Sequence, residues 1–233
     1  LGGDRRERTV ARLAELGMVA APSADSLAAI EKGGAAFRRV GCETCHVPEL
    51  RLRNTVFEEP TLRGRGQYYD TVLAGLDKSY DPARPLRFDV LKDAQPPRAA
   101  AHPEGGAAIQ LYGDLKRHAM GRQLADLTPQ PSITALGAPL MQDDKMMLIA
   151  PTAFLTPELW GVGNTGPWLH DGRAGTLEEA VLLHGEDQPP AAGDPGRSEA
   201  QEARDAFKAL PAQERQALLT FLRSLQTFSP AAR

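Results

Sequence analysis

Apolar residues recur with a helical period in several segments of the chain, and strand-like alternation is scarce. Between residues 23 and 46 the apolar positions follow the three- and four-residue spacing of an amphipathic helix. The same spacing marks residues 176–184 and 211–225, and a charged segment at residues 4–17 also predicts a helix. Residues 47–106 are rich in proline and arginine and lack such a period, so we expect irregular backbone there. The pattern therefore predicts an all-α fold with long irregular loops and insertions.

Two adjacent glycines interrupt the first of these helices. Gly33 and Gly34 each weaken a helix interior by about 1 kcal/mol relative to alanine. That weakening is reasonable where a second helix crosses at close range. The candidate is the segment 211–225, which has a leucine-rich face and carries Pro211 in its first turn. The alternative is that both are ordinary core helices without a close crossing.

Composition and charge narrow the classes of protein that fit this chain. It has 233 residues, 42% hydrophobic content and a formal net charge of −3, which suits a globular protein with a sizeable core. It has no basic run, so we expect neither nucleic acid nor an anionic membrane surface as partner. No segment approaches the roughly 20 apolar residues of a membrane span. Because the sequence begins at Leu1 without a methionine or signal peptide, we expect a processed or truncated product.

One motif carries specific chemistry. Cys42-Glu-Thr-Cys45-His46 has the C-x-x-C-H spacing of a c-type haem attachment site. Two cysteines three positions apart lie on one side of a helical turn. Both sulfurs can then form thioethers with one porphyrin, while His46 binds the iron as the proximal ligand. A thioredoxin-like redox pair would not need His46, and half of a zinc site would need further ligands, whereas the chain has only these 2 cysteines. We predict one covalent haem c.

The motif also bears on fold, domains and localisation. A glycine-bearing helix that leads into C-x-x-C-H, with a leucine-rich helix at the end of the chain, resembles a class I cytochrome c domain. This resemblance implies a haem domain over residues 23–233, preceded at residues 1–22 by a helix or linker from another domain. Haem c is attached to reduced thiols after export, so we expect a periplasmic or otherwise exported bacterial protein.

The second axial ligand separates electron transfer from catalysis, because an open iron position can bind substrate. His184 lies near the end of a predicted helix that opens with a capping box at Thr176 and stops at Gly185. Its position at the end of an apolar stripe makes it the main candidate. His118, on a comparable apolar face, is the first alternative, and Met120 lies two residues further on. A core histidine without a ligand role, or an open iron, is the remaining interpretation.

A longer block of the chain resembles a known family. Residues 155–181 contain a His-Asp-Gly turn and a Thr-Leu-Glu-Glu-Ala-Val run, and they resemble a segment of bacterial di-haem cytochrome c peroxidases and their MauG-type relatives. Residues 112–121 and 183–186 are closer to a sister group, the peroxidase-like di-haem oxidoreductases. The resemblance covers about residues 30–226.

This resemblance implies the same distal ligand. In the peroxidases the electron-transfer haem takes its second ligand fourteen residues after the histidine of the His-Asp-Gly turn, and that offset leads from His170 to His184. Histidine stands there in place of the family's methionine or tyrosine. A bis-histidine, low-spin iron is therefore implied, with a potential below that of a His/Met haem.

Further site residues follow from the same resemblance. It implies a calcium site at Thr165 and Pro167, mainly through carbonyl oxygens. We also expect Trp168 to lie close to the haem or to the interface with a second haem domain, where it could relay electrons as an aromatic residue does in the MauG-type relatives. The alternative is an ordinary core tryptophan. The candidates for binding a haem propionate by charge-assisted hydrogen bonds are Arg173 first, then Arg122 and Tyr112.

The family usually carries two C-x-x-C-H motifs on a longer chain, whereas this chain has one, near its start. It therefore resembles the carboxy-terminal, electron-transfer half. We expect covalent haem binding and electron transfer, with a second haem domain or subunit of the same oxidoreductase and a small redox protein as partners. The alternatives are a self-contained haem c peroxidase acting on hydrogen peroxide and a haem-bearing docking subunit of a larger cytochrome complex. No catalytic side chain is predicted, and whether the chain alone is an enzyme stays open.

Overall fold

The computed structural model describes residues 24–58, 87–93, 99–132, 141–189, 192 and 196–226. The chain divides into two compact units, of which the smaller is Glu49–Gln110 and the larger combines the residues on either side of it. The predicted helix at residues 4–17, like the whole predicted segment 1–22, lies outside the described residues. Within the described ranges, no helix is long and apolar enough to cross a membrane.

Four α-helices occur in the described residues, all in the larger unit: α1 Ala24–Arg39, α2 Leu177–Leu182, α3 Gln201–Lys208 and α4 Ala212–Ser224. The strands are β1 Leu50–Leu52, β2 Val56–Glu58, β3 Arg87–Asp89, β4 Ala100–Ala101, β5 Ala107–Ile109, β6 Arg117–Ala119, β7 Gln130–Pro131, β8 Met141–Gln142, β9 Lys145–Met146, β10 Leu148–Ile149 and β11 Ala153–Leu155. Single 3₁₀ turns span Cys42–Thr44 and Val90–Lys92.

The prediction of an all-α, class I cytochrome c-like fold is wrong. The described strands pair into small antiparallel sheets, with strand orders β1-β5-β4, β2-β3, β6-β11, β7-β10 and β8-β9. Each strand has two or three residues, which is too short for the alternation that reveals a strand in a sequence. Nearby prolines and glycines disfavour helix, so the backbone groups find their hydrogen-bond partners in these short ladders. The irregular backbone predicted for residues 47–106 is interrupted by β1 to β4 where that range is described, while residues 59–86 and 94–98 lie outside the described residues.

The predicted close crossing of the first and last helices is confirmed. A Cβ at Gly33 of α1 would overlap the carbonyl oxygen of Ala217 in α4 and would lie 2.7 Å from the Cβ of Phe221. A Cβ at Gly34 would lie 3.5 Å from the Phe221 ring, which is an ordinary contact. Of the two glycines, only Gly33 is required by the crossing.

An aromatic cluster at this crossing leads to the C-x-x-C-H motif. Phe37 of α1 packs against Phe221 of α4 with ring centroids 5.3 Å apart. Tyr112 lies against both, 6.1 Å from Phe37 and 5.8 Å from Phe221. The imidazole of His46 is 6.4 Å from the Phe37 ring. All three aromatic side chains are buried, so His46 borders a buried aromatic cluster.

The smaller unit consists of short strand pairs. Its three-stranded sheet places Leu50 opposite Ile109 and Ala101 opposite Ala107. The β2-β3 pair brings the rings of Phe57 and Phe88 to 5.1 Å. None of the predicted haem or calcium residues belongs to this unit.

Candidate functional site

The C-x-x-C-H motif forms one compact turn directly after α1. Helix α1 ends at Arg39, and Gly41, with a φ of 93°, turns the chain into the 3₁₀ turn that begins at Cys42. Glycine takes this left-handed conformation without strain. The Thr44 hydroxyl donates to the Gly41 carbonyl at 2.8 Å, and the His46 amide donates to the Cys42 carbonyl at 3.0 Å. Local hydrogen bonds therefore hold both cysteines and the histidine in a fixed arrangement.

Both cysteines are free, partly exposed thiols. Burial raises the pKa of Cys42 to about 12, and it also raises the pKa of Cys45. Reactive redox cysteines instead have lowered pKa values, because the thiolate is the nucleophile. The pair is therefore protonated at neutral pH, which disfavours a thioredoxin-like function.

His46 is held by a backbone carbonyl. Its Nδ1 lies 3.0 Å from the carbonyl oxygen of Tyr112, so Nδ1–H donates and Nε2 keeps its lone pair. Burial lowers the pKa of His46 to about 4, against the smaller opposing effect of the Tyr112 and Pro157 carbonyls. The ring is therefore neutral near pH 7, the form that binds metals. Tyr112 takes a φ of 53°, uncommon for a bulky residue, where its carbonyl meets His46.

His184 has the same chemical arrangement. Helix α2 begins with the predicted capping box, in which Thr176 and Glu179 exchange hydrogen bonds. At its other end, the Nδ1 of His184 lies 2.6 Å from the Ala180 carbonyl oxygen. Burial lowers the pKa of His184, and a charge on His184 would lower the pKa of His46. The two imidazoles are therefore close enough for a charge on His184 to affect the protonation of His46.

His118, the alternative ligand, is engaged at both ring nitrogens. Its Nδ1 lies 2.7 Å from the Glu199 carboxylate and its Nε2 lies 2.9 Å from the Asp114 carboxylate. The bond to Glu199, followed by that to Asp114, raises the pKa of His118. Burial raises the pKa of Asp114, but the bonds that it accepts from the Lys116 amide and from His118 outweigh this and hold the pKa at about 2. Carboxylates therefore occupy both ring nitrogens of His118, and which histidine is a distal ligand stays a prediction.

Three further residues were predicted from the sequence as weaker candidates for binding the haem: Met120, Tyr112 and Arg122. Met120 is 8% exposed, and its amide donates to the Thr152 carbonyl at 2.7 Å. The Tyr112 phenol is buried, and burial raises its pKa. This position suits a core side chain better than one that binds a haem propionate. Arg122 is nearly half exposed, with its guanidinium 4.0 Å from Glu186.

The His-Asp-Gly turn binds its neighbours through its side chains. Asp171 accepts from Nε of Arg173 at 2.6 Å and from the Arg173 amide at 3.2 Å. Arg173 also donates to the Gln123 carbonyl. His170 bonds through Nε2 to Asp126 at 2.9 Å. Arg173 is therefore oriented by protein groups, and its role toward a propionate stays a prediction.

Trp168 is half-buried and has a hydrogen-bond partner. Its indole N–H donates to the Val162 carbonyl at 2.7 Å, and its backbone forms an antiparallel bridge with Ala174. The ring covers Gly166, where a Cβ would lie 2.8 Å from it. This arrangement fits a packed tryptophan, and a relay role stays a prediction.

The predicted calcium residues lie in the same segment. Thr165 and Pro167 are exposed, and the Gly166–Pro167 peptide bond is cis. In the described part of the chain, no group of three or more His, Cys, Asp or Glu side chains is placed to bind a metal ion. A calcium site here would depend on carbonyl oxygens, so it stays a prediction.

A set of buried polar side chains next to His184 was not predicted from the sequence. Glu186, Gln201 and Arg204 are 5%, 6% and 6% exposed, respectively. Gln201 and Arg204 share a face of α3 with the buried Phe207, at three-residue spacing. A polar residue at an apolar-facing helix position is the signal that would have indicated them.

Comparison with known proteins identifies the family. A family model described as "Di-haem oxidoreductase, putative peroxidase" matches residues 99–225. The match includes His118, the His-Asp-Gly turn and His184, and it begins after the C-x-x-C-H motif. Searches of curated proteins and of solved structures found no significant match. Because the matched region is more than half of the 233 residues, the chain belongs to the di-haem oxidoreductase family and has a haem-based redox role.

Proposed function

We propose that this chain binds one haem c covalently through Cys42 and Cys45 and transfers electrons as part of a di-haem oxidoreductase. His46 is the proximal ligand in this proposal and His184 the distal one. The observation that supports it best is the matched pair of neutral imidazoles, each bonded at Nδ1 to a backbone carbonyl. When bound, haem supplies a one-electron iron couple whose potential depends on its axial ligands.

The donor set of the chain fits such a group. Two free thiols at C-x-x-C spacing suit thioether formation, and the adjacent His46 keeps the lone pair of Nε2 when Nδ1–H donates to the Tyr112 carbonyl. A metal-binding histidine normally donates its other ring N–H to a carbonyl or carboxylate, which fixes the ring and raises its basicity. The carbonyls of Tyr112 and Ala180 do this for His46 and His184.

A second haem domain or subunit is the partner in this proposal. The family is a di-haem family, whereas the sequence has one C-x-x-C-H motif and 2 cysteines in all. The second haem therefore comes from outside these 233 residues, and a small redox protein exchanges electrons with the assembly. Attachment of haem c to reduced thiols also supports an exported, periplasmic location.

The ligand assignment is tested by ferric optical and electron paramagnetic resonance spectra of the haem-loaded chain. We expect a low-spin iron in the native chain and a high-spin iron in His184→Ala, with low spin restored by added imidazole. His118→Ala is the matched control and should stay low-spin, because its two nitrogens bond to carboxylates. A low-spin His184→Ala beside a high-spin His118→Ala would move the ligand to His118.

The same samples separate electron transfer from peroxidase activity. With two imidazoles on the iron, hydrogen peroxide has no position to bind, so turnover should stay near that of free haem. A high-spin native chain with peroxide turnover well above free haem would instead support the self-contained peroxidase.

A further inference from the structure

We propose that Gln201, Glu186 and Arg204 are positioning residues that hold the turn around His184 and thereby keep its imidazole on the iron. This inference rests on the proposed ligand role of His184. It assigns a function to buried polar groups that neither haem attachment nor the helix crossing uses.

Gln201 binds both backbone polar groups of one residue in the turn. Its Oε1 accepts from the Glu186 amide at 2.8 Å, and its Nε2 donates to the Glu186 carbonyl at 2.9 Å. The Gln201 amide thus pairs with the N–H and the C=O of one residue, as the backbone of an adjacent β-strand would. A Cβ at Gly185 would lie 2.9 Å from Oε1 of Gln201, so a larger residue there would require the Gln201 amide to shift. The backbone directly after His184 is therefore fixed from one side.

The Glu186 side chain ties the turn to a second segment. Its Oε1 accepts from the Arg122 amide at 2.6 Å, and its side chain is 1% exposed. The other oxygen, Oε2, is buried without a hydrogen-bond partner in the described part of the chain, and the Arg122 guanidinium lies 4.0 Å from it, beyond hydrogen-bond distance. Burying a carboxylate in this incomplete way is unfavourable by itself. A buried carboxylate at this position is explained if the bond that Oε1 accepts from the Arg122 amide holds the turn in place.

Arg204 holds the turn on the other side of the ligand. Its Nε donates to the Leu182 carbonyl at 3.0 Å, at the end of α2. Asp187 and Asp205 fix the guanidinium at 2.5 and 2.7 Å. The backbone anchors thus lie at Leu182 and Glu186, two residues before and two residues after His184.

Two features indicate that these bonds do more than stabilise the fold. Of the six buried polar or charged residues recorded among the described residues, four lie in this group or beside it: Glu186, Ser198, Gln201 and Arg204. A cavity of about 310 Å³ also borders the turn, lined by Leu182, Leu183 and Gly185 among others. Apolar packing therefore does not hold the turn on the side that faces this cavity. A metal ligand must be kept within about 0.5 Å of its productive position, and directional hydrogen bonds supply that restraint.

Gln201→Leu tests the proposal in the haem-loaded full chain. Leucine keeps a similar volume but removes both bonds to Glu186. Gln110→Leu is the matched control, since Gln110 is another buried glutamine and belongs to the smaller unit. We expect at least about a tenth of the ferric haem in Gln201→Leu to become high-spin at room temperature, and added imidazole to reverse this. Gln110→Leu should stay low-spin even where its melting temperature falls equally.

A second pair of variants keeps the test decisive if Gln201→Leu does not fold. Glu186→Gln retains an acceptor for the Arg122 amide and should stay low-spin, whereas Glu186→Leu loses it and should gain high-spin iron. Fully low-spin, native-like spectra in both Gln201→Leu and Glu186→Leu, beside a high-spin His184→Ala, would overturn this inference alone. A low-spin His184→Ala would overturn the proposed ligand and this inference with it.

Discussion

Replacing Gly33 by alanine should destabilise the chain, although alanine is the better helix former. The added Cβ would overlap the Ala217 carbonyl oxygen and approach the Cβ of Phe221 to 2.7 Å, whereas ordinary Cβ contacts begin at 3.4 Å. The obstruction is backbone and the root of a side chain, neither of which can rotate away. Helix α4 must therefore move away from α1, and the aromatic cluster at the crossing must loosen.

The size of the effect follows from two opposing contributions. Glycine to alanine in a helix interior is favourable by about 1 kcal/mol, and overpacking a close-packed core costs about 1–3 kcal/mol, sometimes more. Because rigid backbone blocks the methyl group, we expect a net loss of about 2 kcal/mol. For a domain of this size that corresponds to a fall of roughly 4–8 °C in melting temperature. At Gly34 the new Cβ would meet the Phe221 ring at 3.5 Å, so alanine there should be neutral or stabilising by up to about 1 kcal/mol.

The assay is thermal and urea unfolding of Gly33→Ala and Gly34→Ala in parallel, followed by far-ultraviolet circular dichroism. The adjacent variant is a close control, since both changes add one methyl group to the same helix turn. Unfolding midpoints that are equal in the two variants, or a Gly33→Ala chain as stable as the native one, would refute the close crossing.

Three further predictions concern single sites. In the complete two-haem assembly, Trp168→Phe should slow electron transfer between the haems without changing their spectra, and an unchanged rate would exclude a relay role. Because Glu199 and Asp114 raise the pKa of His118, its contribution to stability is present below its ordinary pKa of 6.5 and is lost as the pH rises through the raised value. The difference in urea midpoint between the native chain and His118→Gln should therefore be larger at about pH 6 than at about pH 10, and a pH-independent difference would contradict this. Calcium in large excess over its Kd should raise the melting temperature if the carbonyls of residues 165–167 bind it, and an identical melting curve in a chelator would argue against the site.

Sequence patterns predicted the parts of the fold that depend on residues close together in the chain. The capping box at Thr176 involves residues three apart, and the structure has both of its hydrogen bonds. The crossing at Gly33 was indicated because glycines inside a helix are unfavourable unless something approaches closely. The short strands were missed for the opposite reason. A pair such as Ala100–Ala101 is specified by its partner strand and not by its own two residues.

The same distinction between local and long-range contacts applies to the candidate site. The motif at Cys42 and the offset that leads to His184 are local or family signals, and both could be found in the sequence. The bond from His118 to Glu199 could not be found in this way, because Glu199 lies 81 residues further along the chain. An apolar-face argument alone therefore gave two comparable histidines. Only the contacts of their ring nitrogens separate them.

The two proposed iron ligands are held by different kinds of interaction, and the chemistry of haem c attachment explains the difference. His46 follows Cys45 directly, so two thioethers would restrain it covalently, and one carbonyl from Tyr112 is enough to set its ring. His184 has no covalent restraint, and its position depends entirely on the fold around it. The buried bonds of Gln201 and Arg204 lie on that side. If this reasoning holds, loosening the helix crossing should lower stability while the spin state changes little, and loosening the His184 turn should change the spin state at a smaller loss of stability.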